Sequence, residues 1–170
     1  MAARLFVAVW PPPEIVELLA GLPRPSIPGL RWTEPGQWHV TLRFLGRVEN
    51  VSEVSRALRP LRLPEVDVRA GPEVGRFGQR VLHVPVEGLA AATGAVVDAT
   101  RHLGEPPEDR AFSGHITLAR VSKRARVDLR PLRGRPIHGA WRVTELTLVE
   151  SRLRPSGVDY EIVDRFPLMG

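Results

Sequence analysis

His39-Val40-Thr41-Leu42 and His115-Ile116-Thr117-Leu118 are nearly one tetrapeptide written twice, 76 residues apart. Side chains alternate across a β-strand, so the His and Thr of each copy share one face. Val40 and Leu42, like Ile116 and Leu118, take the other. Each copy thus has an apolar face to anchor it in a core and a polar face to present. The same offset links more than the motif: Leu5–Trp10 falls on Val81–Val86, two apolar runs that read as strands, and Ile15–Ala20 falls on Ala91–Val96, both helical in character. Matching element order around a matching motif marks a duplicated unit, about 5–46 and 81–122, within a single domain spanning 1–170. A pseudo-twofold arrangement of the halves brings the two motifs face to face across a cleft.

Working outward, Leu5–Trp10 reads as a strand ended by Pro11-Pro12-Pro13, and the prolines suit the first turn of a helix over about Glu14–Ala20. Leu30–Thr33 and Trp38–Leu45 read as strands separated by Pro35-Gly36. Asn50 with Glu53 resembles a capping pair before Val51, Val54, Leu58 and Leu61 at helical spacing. Val66–Ala70, Glu73–Phe77 and Val81–Val86 follow as strands. Leu89, Ala92, Val96, Ala99 and Leu103 form a helical stripe; His115–Val121, Trp141–Glu150 and Val158–Phe166 are the remaining strands. Strict alternation puts Arg43 on the His39 face and Arg120 off the His115 face, so Arg120 reaches that face only through a bulge or a strand end. Phe44 reads as core packing, and His83, His102 and His138 as structural or exposed.

The chain has 170 residues, 43% hydrophobic and 25% charged, the balance of a folded globular domain. No run of 18 apolar residues exists, and the apolar N-terminal run is too short for a signal peptide. The absence of cysteine excludes disulfides, thiolate metal sites and cysteine nucleophiles, and fits a reducing, cytoplasmic setting. Of 24 basic residues all but Lys123 are arginine, and the net charge is +5. Leu118–Arg154 alone carries +7 and the remainder −2, a distribution that suggests a polyanionic partner.

Two opposed His-x-Thr faces supply two imidazoles and two hydroxyls. The reaction best matched is in-line displacement at phosphorus, which needs a base on the attacking side and an acid on the leaving side. Histidine, with an ordinary pKa of about 6.5, serves as either near neutral pH. The hydroxyls of Thr41 and Thr117 can donate to non-bridging oxygens, where charge accumulates. The scheme requires no metal and no cofactor, and His-x-Thr is not a zinc spacing. Spacing alone does not say which histidine is acid and which is base.

With these motifs in place, the chain resembles the two-histidine (2H) phosphoesterase superfamily, and within it the bacterial and archaeal RNA 2′,3′-cyclic phosphodiesterases, also named RNA 2′-5′ ligases. The resemblance runs from Arg4-Leu5-Phe6-Val7-Ala8-Val9 through Arg31-Trp32-Thr33, His39–Gly46 and His115–Arg120 to Glu150-Ser151-Arg152-Leu153 and Arg165-Phe166-Pro167-Leu168. It implies an α+β fold of two pseudo-symmetric lobes, each an antiparallel sheet with outer helices, and an active-site cleft between them. It also implies hydrolysis of RNA 2′,3′-cyclic phosphate ends to 2′-phosphomonoesters, with reverse 2′-5′ joining secondary. His39 would be the proton donor, His115 the proton acceptor, and Thr41, Thr117 and Arg120 substrate-binding residues, in a monomer whose partner is RNA or a cyclic nucleotide and not a membrane. Two departures, Trp38 and Ser113-Gly114, bear on the cleft's shape. The competing readings are an RNA- or nucleotide-binding module without turnover, and a phosphodiesterase acting on a small cyclic nucleotide.

Overall fold

The computed structural model describes residues 2–170. In chain order the elements are β1 (Ala3–Val9), α1 (Pro13–Ala20), β2 (Leu30–Trp32), β3 (Val40–Val48), α2 (Val51–Leu58), β4 (Val66–Ala70), β5 (Gly75–Phe77), β6 (Val81–Glu87), α3 (Ala90–Thr100), β7 (His115–Val121), β8 (Gly139–Val143), β9 (Glu145–Arg154) and β10 (Gly157–Pro167). The strands run β10-β9-β1-β3-β7-β6-β4-β8, with β2 added to β7 and β5 to β6. The fold is the expected α+β arrangement of two similar halves. In one half β3 pairs β1; in the other β7 pairs β6, and both pairs are antiparallel. The halves meet where Val40 opposes Ile116.

The helices tie the halves together. α1 begins at Pro13, where a missing N–H costs nothing, and buries Ile15 and Leu19 one turn apart. It follows β1 in the chain but packs on β8 of the other half, while α3, which follows β6, packs on β3 and α2. One apolar core therefore runs under both halves, including Leu5, Val7, Val9, Val40, Leu82, Val84, Ile116 and Leu148. The alternate residues of β1, Phe6 and Ala8, sit on the other face in a smaller cluster with Val149, Trp10, Tyr160 and Ile162.

Two sequence expectations need correction. Trp141–Glu150 is not one strand: the chain breaks at Thr144, β8 joining β4 and β9 crossing to β1 in the other half. Asn50 stands before α2 without a side-chain cap; its amide donates to Glu53 Oε1 at 3.3 Å, so the two polar groups satisfy each other and not the helix backbone.

The decisive local feature is a bulge directly after the Thr of each motif; β3 carries a second one farther on, where Leu5 opposes Gly46 and Phe6 opposes Phe44 and Leu45 is left over. Ala8 opposes Thr41 and Val7 opposes Arg43, which leaves Leu42 as the extra residue; His83 opposes Thr117 and Leu82 opposes Ala119, which leaves Leu118 extra. Both leucines are buried. After each bulge the alternation reverses, and that reversal decides which later side chains reach the cleft.

Candidate active site

The two motif histidines are held the same way. His39 Nδ1 lies 2.7 Å from the Gln37 carbonyl, and His115 Nδ1 lies 2.8 Å from the Ser113 carbonyl, each two residues upstream. A carbonyl only accepts, so each Nδ1 carries the proton and each Nε2 is left for chemistry. His39 Nε2 is 3.0 Å from Thr41 Oγ1. The Gln37 carbonyl is itself fixed, because the Gln37 side chain accepts from Glu34 N at 3.1 Å and donates to the Val158 carbonyl at 3.0 Å.

The antiparallel rung at Val40 and Ile116 sets the arrangement of the four polar residues. One step to either side, His39 stands opposite Thr117 and Thr41 opposite His115. The two histidines thus occupy one diagonal and the two threonines the other, with Cα diagonals of about 7–8 Å. All four line a single cleft of about 360 Å³, together with Arg4, Phe44, Arg120 and Tyr160.

Aromatic rings wall the histidines. Phe6 lies 4.9 Å from the His39 ring at an interplanar angle of 31°, with Trp10 at 5.2 Å and Tyr160 at 5.3 Å. Against His115 stand Phe77, edge-on at 4.7 Å, and His83 at 5.5 Å. Burial is the main cause that pushes both histidines below the ordinary 6.5; the backbone carbonyls oppose the shift, and the Arg120 charge adds to it. In the free cleft both imidazoles therefore favour the neutral form. Burial, with His115 adding to it, takes His83 further, to about 4.

Arg120 lines the cleft because the bulge at Leu118 turns it onto the His115 face. Thr33 pins that bulge. Its hydroxyl is shared between the carbonyls of Thr117 at 2.8 Å and Leu118 at 2.9 Å, and accepts from Trp38 Nε1 at 2.9 Å. The mirror bulge at Leu42 overturns two sequence expectations. Arg43 is only 4% exposed and points away from the cleft, where its guanidinium donates to the carbonyls of Leu103 at 3.0 Å and Glu105 at 2.8 Å just beyond α3. Phe44, expected in the core, is 39% exposed and lines the cleft with the Arg4 guanidinium 5.1 Å from its ring centre. The reason is the same in both cases: one extra residue moves odd positions to the core and even positions to the cleft.

His83 was expected to be structural or exposed. It is buried, opposes Thr117 in register and stacks on Phe77 at 4.0 Å, in the wall beside His115. His102 and His138 are exposed. Sequence reading missed Phe6, Trp10, Phe77, Tyr160 and Thr33 as parts of the site. The alternation of β1 carried a signal for Phe6, which shares its face with Ala8 opposite Thr41; nothing local marks Tyr160.

The family model described as LigT like phosphoesterase matches residues 9–81. An RNA 2′,3′-cyclic phosphodiesterase of Thermus thermophilus is 31% identical over 185 residues, covering 98% of this chain and 91% of the relative. One of Aquifex aeolicus is 29% identical over 157 residues, covering 82% of each chain. The crystal structure of E. coli LigT complexed with 3′-AMP superposes with a TM-score of 0.79 at 25% identity, covering 100% of both chains.

Proposed function

This chain belongs to the LigT-like (2H) phosphoesterase family, among the RNA 2′,3′-cyclic phosphodiesterases, and from that premise we propose that it hydrolyses RNA 2′,3′-cyclic phosphate ends to 2′-phosphomonoesters. The observation that carries the reading is the diagonal pair of imidazoles lining one cleft, each with Nδ1 tied to a backbone carbonyl so that Nε2 is the nitrogen left for proton transfer.

In this mechanism His115 Nε2 takes a proton from water as its oxygen attacks phosphorus. The bond from phosphorus to the 3′-oxygen breaks, and His39 Nε2 gives its proton to that oxygen. The diagonal suits in-line displacement, since base and acid approach the phosphorus from opposite sides. Thr41 and Thr117, on the crossing diagonal, donate to the two non-bridging oxygens, and the Arg120 charge, farther along β7 at the edge of the cleft, draws the anionic substrate in. Each turnover leaves His115 protonated and His39 neutral; exchange with solvent restores the start. The Phe6 ring, 4.9 Å from His39 and tilted by 31°, lies within the range at which a ring attracts a cation, which offsets part of the burial cost when His39 carries the acid's proton. The scheme uses no metal and no cofactor.

Both histidines come from one chain, so the site is complete in a monomer. The exchanged helices and shared core support one bilobal unit over 1–170, with the repeated parts at about 5–46 and 81–122. Among the described residues no helix is long and apolar enough to cross a membrane. A sequence without cysteine suits work in the cytoplasm.

The test is turnover of a nucleoside 2′,3′-cyclic phosphate in the presence of a chelator, with the product identified. The expected product is the 2′-phosphomonoester, and His39→Ala or His115→Ala costs about 10²–10⁴-fold or more in kcat. A 3′-phosphate product would overturn the acid and base assignments. Binding without turnover, or turnover wholly dependent on added metal, would overturn the mechanism.

A further inference from the structure

Some directly opposed charges in this sheet are matched within it and some are not: among the described residues Arg4 faces Arg47 across β1 and β3 with no carboxylate within ion-pair distance of either. Asp67 faces Arg142 across β4 and β8 and bonds it at 3.0 Å. Glu150 faces Glu161 across β9 and β10, a like-charged pair, but Arg152 reaches both, at 3.0 and 2.9 Å. Arg31 of β2 faces Arg120 of β7, and here no bridging group exists among the described residues: neither arginine has a carboxylate within ion-pair distance. Directly opposed like charges weaken an antiparallel pair unless an ion of the other sign joins them.

The position of the pair says which ion that is. Residues directly opposite share a face, and their Cβ atoms stand about 4.5–5.5 Å apart. Leu30 and Trp32, on either side of Arg31, pack on the core with Val121 and Ala119, which leaves Arg31 on the Arg120 face. Arg120 lines the cleft, whereas Arg31 is exposed and lies beyond its lining. Along β7, Arg120 is about 10 Å past Thr117 at the usual strand rise. Two guanidiniums at this spacing make a fork for one phosphate diester, outside the reacting centre but continuous with it.

We propose that Arg31 and Arg120 together bind an internal backbone phosphate of the RNA chain, upstream of its cyclic end, so that the enzyme prefers an oligonucleotide to a mononucleotide. The inference rests on the proposed cyclic phosphodiesterase reading. It adds a subsite whose effect a mononucleotide cannot feel through Arg31.

The experiment compares kcat/KM for a short oligoribonucleotide ending in a 2′,3′-cyclic phosphate with kcat/KM for the matching mononucleoside 2′,3′-cyclic phosphate, in wild type, Arg31→Gln, Arg31→Lys and Arg56→Gln. Arg56 is an exposed arginine on α2 and controls for loss of one positive charge. The expected result is an oligomer preference in wild type that falls about tenfold in Arg31→Gln, falls less in Arg31→Lys, and stays within about twofold in Arg56→Gln. The salt dependence of oligomer turnover also loses about one unit of slope in Arg31→Gln. Mononucleotide turnover with no oligomer preference, or an equal loss on both substrates in Arg31→Gln, overturns the subsite while the reading of the cleft stands. Wild-type turnover of neither substrate removes both.

Discussion

Val40 and Ile116 are cross-strand partners, and each is the middle residue of a His-x-Thr triplet. One rung between two buried residues thereby sets the spacing of all four polar groups. Neither Val40 nor Ile116 exposes any surface, so their contribution is positional. A shift of one residue in this register would turn one motif's His and Thr toward the core.

The first prediction concerns pH. The base must be neutral and the acid protonated, and both histidines lie below 6.5 in the free cleft, chiefly through burial. The profile of kcat/KM, which reports the free enzyme, is therefore a bell centred on the acid side of pH 6.5, with limbs that belong to the coupled pair. An anionic phosphate between the rings favours the imidazolium, so the kcat profile is displaced to higher pH. Initial rates across the acid and neutral range check this, and a kcat/KM maximum well above pH 6.5 contradicts it.

Thr33 is a positioning residue, since its hydroxyl meets the carbonyls of Thr117 and Leu118 at the bulge and no reacting atom. Thr33→Val keeps the shape but leaves those carbonyls and Trp38 Nε1 without their shared partner. It is expected to lower stability by about 1–3 kcal/mol. It also lowers kcat by about tenfold under conditions where the protein stays folded, because Thr117 and Arg120 lose their setting. Thr33→Ser restores both. A stability loss with unchanged kcat would mean that the hydroxyl serves folding alone.

The paired motifs, the strand–helix order and the α+β class were legible because each rests on local periodicity or on the 76-residue offset. The face of every side chain after the motifs was not. Alternation counts by two, and a bulge adds one. Nothing in Leu42 or Leu118 announces that these residues are left unpaired. Arg43 and Phe44 were misassigned for that reason, and Arg120 could be brought inward only by supposing the same device. Tyr160 and Phe77 reach the histidines from strands far away in the chain, through tertiary packing that no window of sequence contains.

Phe44 and Arg43 give opposite outcomes although they are neighbours. Phe44 offers an exposed ring at the cleft, with Arg4 at its face. A ring so placed is a stacking platform for a base, worth about 1–3 kcal/mol. Phe44→Ala is expected to raise KM for a nucleoside 2′,3′-cyclic phosphate about tenfold with little change in kcat, measured by steady-state kinetics. Arg43→Met removes buried hydrogen bonds to the carbonyls of Leu103 and Glu105. It is expected to cost about 3 kcal/mol in denaturant unfolding, with KM unchanged in the folded fraction. A rise in KM for Arg43→Met without destabilisation would return Arg43 to the cleft.

His83 makes folding stability depend on pH in a direction set by its burial. It is 7% exposed, Phe77 is stacked on it, its Nδ1 has no hydrogen-bond partner, and its pKa is held down to about 4. In the unfolded chain the same ring takes up a proton near 6.5. Above that pH both states are neutral and the group has no effect. As pH falls from 6.5 toward 4 the unfolded state binds the proton first, so the folded state loses stability. The loss runs at about 1.4 kcal/mol per pH unit and totals about 3 kcal/mol by the time the folded ring also protonates. His39 and His115 shift in the same direction, so wild type carries their contribution as well. The diagnostic quantity is therefore a difference: urea unfolding of wild type and His83→Phe between pH 7 and pH 4.5. Phenylalanine keeps the stack on Phe77 and has no proton to bind, so the variant's stability falls less steeply with acid than that of wild type. Equal slopes would mean that the folded protein already admits a proton at His83.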